Sequence, residues 1–417
     1  MLILNLVFIL LVGVMLTYLA RHYIFTVVAL YYRHGQTHYN LHNMVYQPKV
    51  SVIIPARNEE NVIGRILQRM TELTYPKEKL EVIVVDDGST DRTGEITEEL
   101  AKKYDYINVI HRSPENSGKG KAAVLNEGSK HATGEILCMF DADYYPQRDV
   151  LENLTAQFVD PEVGAVQGRV TVLNEPKTLV TRLVALERIG GYRVDQLARD
   201  DLKLIPQLGG TGGGVRRSLI DFFDGWDPSM LAEDTDLTFR IYLAGYKVRY
   251  INEAECYEEA VESWRWYWRQ RCRWAKGHMQ CAFKHFWPLI KSKNLRLREK
   301  IDGVLLLNVY FVPILTGLSW ILGAILYFTQ PSGWITLYWA LIPIFVYSGV
   351  GNFAPFFEAG IGAYLDGRRR IYRLIPLLFI TFLYNTLICT KALADLCLSK
   401  ILGRKQHAWI KTPHIGR

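Results

Sequence analysis

The chain has 417 residues, 49% of them apolar, and 49 lysines and arginines against 42 acids give a formal net charge of +7. That length exceeds one small domain, and six cysteines without a C-x-x-C pair argue against a disulfide framework or a zinc cluster. The basic excess gathers at 265–276, 291–300 and 368–373, beside aromatic or apolar runs; this suits a membrane surface or a phosphate-bearing ligand, and no motif turns it toward nucleic acid.

Residues 2–20 carry no charge and are long enough to cross the hydrocarbon core of a bilayer. No basic residue precedes them and no small-residue cleavage site follows, so they are not read as a signal peptide. Arg21 and Arg33 come after, and the positive-inside rule places the next segment in the cytosol.

From Lys49 the pattern changes. The run 49–55 is β-branched and ends at Pro55, which predicts a buried strand; Asn58, Glu59 and Glu60 then open an amphipathic helix to Glu72. A second strand at 80–85 ends at Asp86, Asp87, Gly88 and Ser89, and a helix follows from Asp91. The alternation repeats with a strand at 107–111, a helix at 121–130, and a strand at 135–140 that ends at Asp141, Ala142 and Asp143. Such alternation predicts an α/β domain with a mostly parallel sheet, whose ligands lie beyond the carboxyl ends of the strands. Both acidic motifs fall there. Asp86 and Asp87 also read as plain turn chemistry. Asp141 and Asp143, on alternate residues leaving a strand, can place two carboxylates around one hard divalent ion.

Lys119 and Lys121 flank Gly120 at a helix start, where cations and free N–H groups can neutralise phosphate; a solvated charge pair is the plain alternative. The glycine-rich run 209–214, with Gly212 and Gly213 at its centre, would let backbone approach a ligand closely. Glu233 and Asp234 open an amphipathic helix at 235–243, where acids can equally be caps. The run 264–274 alternates tryptophan and arginine; on a helix Gln270, Arg273 and Trp274 share a face, while the aromatics suit headgroup depth.

Three further apolar stretches, 304–328, 334–357 and 374–398, are each long enough to span. Three crossings would leave the basic tail outside, against the charge rule, so the tail is expected in the cytosol with the last stretch re-entrant or interfacial.

Five motifs in this order, Val84–Ser89, Lys119–Lys121, Asp141–Asp143, Glu233–Asp234 and Gln270–Trp274, resemble the membrane-integrated family 2 glycosyltransferases of the polysaccharide-synthase type. Cellulose, hyaluronan, chitin-oligosaccharide and poly-N-acetylglucosamine synthases belong to that group, and the resemblance covers about 49–284. It implies a GT-A (Rossmann-like) fold. Asp86 and Asp87 would hold the base and ribose of a UDP-sugar, with Lys119, Lys121, Gln270 and Arg273 on its diphosphate side. Asp141 and Asp143 would coordinate Mg²⁺ or Mn²⁺. Asp234, beside Glu233, would be the general base, although Ala232 replaces the family's threonine. Trp274, with Gly212 and Gly213, would meet the acceptor. The layout expected is a membrane segment at 1–33, a cytosolic catalytic domain at 48–252, amphipathic interface helices at 253–300, a membrane region at 301–398 and a basic tail at 399–417. The tail resembles a gating segment of such synthases, and no regulatory cyclic-dinucleotide domain is expected after it. The product is expected to be a growing β-linked glycan exported through the membrane, or alternatively a glycosylated membrane lipid.

Overall fold

A computed structural model describes residues 2–32, 46–329, 353–403 and 416. The β-branched runs form strands at β1 (Val50–Ala56), β2 (Leu80–Asp86), β3 (Ile107–His111) and β4 (Ile136–Met139). They are joined by β5 (Tyr145–Pro146), β6 (Val163–Val172), β7 (Gly213–Arg216) and β8 (Lys247–Glu258) in one sheet of order β3-β2-β1-β4-β7-β6-β8-β5. β1 to β4 are parallel neighbours, whereas β7 runs antiparallel to both β4 and β6. β6 and β8 are again parallel, so the sheet is mixed, with β7 and the short β5 as its antiparallel strands. β8 runs on to Glu258, past the boundary expected at 252.

β1 shows why the sheet is covered on both faces. Val50, Val52 and Ile54 pack into one apolar cluster with Ile63, Ile66 and Met70 of the Ile63–Glu72 helix. Ile53, which points the other way, packs with Val124 and Leu125 of the Lys121–His131 helix. Side chains alternate across a strand, so a continuous apolar run signals cover on both sides.

The first helix runs Leu2–Tyr32, 31 residues, or about 46 Å. That exceeds the ~30 Å hydrocarbon core, so Arg21 and His22 need not sit in lipid. Among the described residues three helical stretches are long and apolar enough to cross a membrane, Ile3–Tyr31, Val309–Leu326 and Arg370–Ile401. The expected stretch 304–328 is broken: a helix Leu297–Leu307 ends at Asn308, a tight turn Val309–Phe311 follows, and Val312–Thr329 starts afresh. Asn308 bonds back to the Val304 carbonyl at 2.8 Å, and Pro313, lacking an N–H, suits the first turn of the new helix. Most of the stretch 334–357, and the tail motif near Trp409, lie outside the described residues.

The Trp264–Lys291 helix is the bracket between the sheet and the candidate membrane helices. Its aromatic run meets the Leu378–Ile401 helix: the Trp264 and Trp268 rings lie 5.3 and 5.2 Å from that of Tyr384. Tyr267 is buried, its hydroxyl donating to Glu187 at 2.6 Å.

Candidate active site

Because β1, β2 and β4 are parallel neighbours, their carboxyl ends open on one edge. Asp87 follows β2, and its N–H donates to the Ala56 carbonyl at 2.8 Å. Its carboxylate accepts from the Gly118 N–H at 3.0 Å and pairs with Arg112 and Arg57. The turn beyond needs glycine: at Gly88 φ is +68°, and a Cβ would lie 2.4 Å from Ser117 Oγ. Asp86 faces elsewhere. It accepts from the Ser89 N–H at 3.0 Å and bonds His111 Nδ1 at 2.9 Å, which raises the imidazole pKa.

Lys121 begins the Lys121–His131 helix and reaches Asp141 Oδ1 at 2.5 Å and the Gly210 carbonyl at 2.9 Å. Burial opposes its charge, yet the carboxylates of Asp141 and Glu233 outweigh that and its pKa is raised. The Asp141 N–H donates to the Thr211 hydroxyl at 3.0 Å, and Asp143 accepts from the Glu259 N–H at 3.2 Å.

Glu233 and Asp234 open the Glu233–Leu243 helix, whose free N–H groups favour an anion. Asp234 Oδ1 accepts from the Thr235 N–H at 2.7 Å. Glu233 is buried, and burial together with the neighbouring Asp234 lifts its pKa to about 7 against the pull of Lys121. From the Trp264–Lys291 helix come Gln270, Arg273 and Trp274. The Arg271 and Arg188 guanidinium carbons lie 4.3 and 5.2 Å from the Trp274 ring centroid. Arg188 also grips Glu258 through bonds of 2.6 and 2.9 Å, and the Tyr144 hydroxyl donates to the same carboxylate at 2.9 Å.

One cavity of about 440 Å³ gathers Asp87, Lys121, Asp141, Asp143, Glu233, Asp234, Gln270, Arg273 and Trp274, a size usual for a small-molecule site. Four residues picked from sequence are not on its wall. Asp86 is spent on the turn and His111; Lys119 points outward and donates to Asn116 at 2.9 Å. The Gly212 carbonyl takes the Gly168 N–H at 2.8 Å, and a Cβ on Gly213 would lie 2.7 Å from the Val166 carbonyl. Those two glycines let strands approach; Gly209 and Gly210 are the ones that face the cavity.

Residues 48–277 match the family described as glycosyltransferase like family 2. The chain is a family 2 glycosyltransferase. It is 38% identical to a probable glycosyltransferase YdaM of Bacillus subtilis, over 69% of this chain and 74% of that protein. It is 35% identical to a β-monoglucosyldiacylglycerol synthase of a Nostoc species, over 64% of this chain but only 56% of that one. With a poly-β-1,6-N-acetyl-D-glucosamine synthase of Staphylococcus epidermidis the identity is 26%, over 86% and 84% of the two chains. Among solved structures, a mannosyltransferase of Pyrobaculum calidifontis in complex with GDP-mannose and Mn²⁺ superposes with a TM-score of 0.54 at 23% identity, covering 87% of this chain and 98% of that one. The fold of this glycosyltransferase is thus GT-A-like.

Several cavity residues escaped the sequence reading. Arg188, Tyr192 and Asp195 reach it because the Leu179–Arg188 helix continues as a π-helix, Ile189–Gln196. Such π-turns cluster at functional sites, but no residue period announces them. His278 was legible, being one turn beyond Trp274 on the same helix face. Its ring stacks on Tyr310 at 4.5 Å, and burial lowers its pKa while Asp234 opposes that. Arg21, from the first helix, also lines the cavity.

Proposed function

We propose that this glycosyltransferase moves a sugar from a UDP-sugar to a growing β-linked glycan, at the cytosolic face of a membrane it crosses several times. What carries the reading is a single cavity in which an acid for the nucleotide, cations for a diphosphate, and a helix-end carboxylate face one another. Asp87 meets the nucleoside; Lys121 and Arg273 lie toward the diphosphate. The acceptor hydroxyl oxygen attacks the anomeric carbon while its proton passes to Asp234. The bond from that carbon to the diphosphate oxygen breaks, and UDP leaves with the electron pair. A single displacement of this kind inverts an α-linked donor to a β-linked product.

Asp141 and Asp143 fit a divalent cation. Among the described residues no cluster of three or more ligating side chains exists, but Mg²⁺ typically takes one or two carboxylates and fills its shell with substrate phosphates. Bound there, Mg²⁺ or Mn²⁺ would supply charge to the departing diphosphate. Lys121, which pairs with Asp141, would then be left to a phosphate.

The similarity to the N-acetylglucosamine polymer synthase, which covers 86% of this chain, supports a glycan product. The higher identity to the glucosyldiacylglycerol synthase supports a second reading, transfer to a membrane lipid. Purified protein given radiolabelled UDP-glucose or UDP-N-acetylglucosamine, with products separated by size and by organic extraction, decides between them. A glycan synthase yields large aqueous product, stopped by chelator and shortened by Trp274→Ala, because the indole face retains the chain end between transfers. All label in the organic phase as a mono- or diglycosyl lipid would refute the glycan reading.

A further inference from the structure

Trp274 is not the last side chain that its helix brings to the cavity. One turn on, His278 lines the same wall. Its ring stacks on Tyr310, with 4.5 Å between centroids and 29° between planes. Its neighbour Gly277 seats the helix on the backbone of Leu231 and Ala232, which lead into Glu233 and Asp234. Asp234 is near enough for its carboxylate to act on the imidazole. Of that carboxylate, Oδ1 takes the Thr235 N–H at 2.7 Å. Oδ2 lies along Gly210, where a Cβ would come within 3.1 Å of it. Oδ2 is the oxygen left for a proton.

Packing alone does not account for a histidine here. A phenylalanine would fill the place and stack on Tyr310 without stranding a nitrogen. Among the described residues His278 Nδ1 is buried and has no hydrogen-bond partner, a condition seldom tolerated. Nε2, at the tip of a ring that lines the cavity, is the nitrogen left to meet a ligand. Burial lowers the imidazole pKa, with Asp234 opposing, so the ring is neutral at neutral pH. A neutral imidazole carries one N–H. On Nδ1 that proton would be a buried donor without an acceptor; on Nε2 it leaves only a lone pair unmatched. The cavity is therefore offered a donor. Its partner is an uncharged oxygen, because a phosphate would also face Asp234. Nor is it the attacking oxygen, whose electron density such a bond would draw away.

We infer that His278 binds the acceptor: its Nε2–H holds an oxygen beside the attacking hydroxyl and so sets that hydroxyl against Asp234. The inference rests on Asp234 being the base, as proposed above, and adds a contact open to a glycan or a lipid oxygen alike.

The test uses the full-length protein in nanodiscs with labelled UDP-glucose and UDP-N-acetylglucosamine. The acceptor probes are dioleoylglycerol and β-linked disaccharides of glucose and of N-acetylglucosamine. For whichever probe the parent labels, His278→Phe should raise the KM about tenfold, near the upper cost of one neutral hydrogen bond. UDP affinity by calorimetry should not change, and the variant should melt at or above the parent, since no nitrogen is stranded. His278→Gln, whose amide nitrogen reaches the place of Nε2, should recover most of the loss. His278→Asn, whose amide nitrogen falls near Nδ1, should not. A parent-like KM in the Phe variant would overturn the inference, as would a lower melting temperature with UDP affinity lost in step. Recovery by Asn in place of Gln would put the donor on the wrong nitrogen. A parent that binds UDP yet labels no probe would refute the acceptor contact, whereas undiminished transfer by Asp234→Asn would remove the base beneath it.

Discussion

Glu233 and Asp234 are neighbours with the same chemistry and unlike surroundings. Glu233 is 8% exposed, while Asp234 faces the cavity and takes a helix-end N–H. An acceptor proton needs an ionised oxygen within reach, which favours Asp234 as the base. Asp234→Asn should leave UDP binding intact by calorimetry and cut transfer by roughly 10²–10⁴; lost UDP binding would move this residue to the donor side. Glu233 has a different signature. Its folded pKa of about 7 lies above the ordinary value of 4.5, so the folded state binds the proton more tightly. Its contribution to stability is complete below the unfolded value and is lost as pH rises through about 7. Glu233→Gln removes the titration, so the variant should gain in melting temperature over the parent as pH goes from 5 to 8. A gap that does not change with pH would refute the assignment.

At the scale of elements, the cavity depends on how closely the Trp264–Lys291 helix approaches the loop before Asp234. Gly277 makes that approach possible: a Cβ there would lie 2.7 Å from the Ala232 nitrogen and 2.9 Å from the Leu231 carbonyl carbon. Backbone on the far side leaves no soft atom to yield. Gly277→Ala should therefore push Asp234 away from Gln270, Arg273 and Trp274. Overpacking costs about 1–3 kcal/mol of stability, and a shift near 1 Å costs on the order of 10²-fold in rate. Parent-like transfer kinetics would show that the helix accommodates the methyl. Asp236 makes the same junction from the other side, fully buried and bonded to His285 at 2.7 Å and Lys284 at 2.6 Å. What the sequence disclosed follows from these distances. Strand ends announce themselves through β-branched runs that stop at Asp, so Asp87, Asp141 and Asp143 could be placed on the cavity before any coordinates. Which of two adjacent acids faces inward depends on pleat and turn, and Asp86 was legible only to that limit. Gly212 and Gly213 fall off the cavity wall for a related reason: glycine reports close approach, but not whether a ligand or a strand does the approaching.

For the whole molecule, the open matter is the side on which the basic tail lies. The Gly416 N–H donates to Glu259 at 3.3 Å, and Glu259 lines the cavity. That contact sets the chain's last described residue on the catalytic side, in keeping with the positive charge around it. A cysteine placed at Thr412 in intact cells should resist a membrane-impermeant thiol reagent; rapid labelling would put the tail outside. Mixed topology also explains why chain order alone did not yield the second half of the sheet. β7 enters between β4 and β6 from far along the chain, and no local pattern encodes that insertion.

Arg21 and Arg199 both pair with Asp195, and Arg199 pairs also with Asp302; this quartet has a consequence for synthesis. Its members leave the ribosome in that order, from the first membrane helix to the helix that precedes the second. A nascent chain that has not yet reached Asp302 holds the two arginines against the single carboxylate of Asp195, and an uncompensated buried charge costs several kcal/mol. The sheet can form earlier, but its union with the first helix waits for the last carboxylate. A fragment cut off from the candidate membrane helices should therefore emerge with that face unfinished.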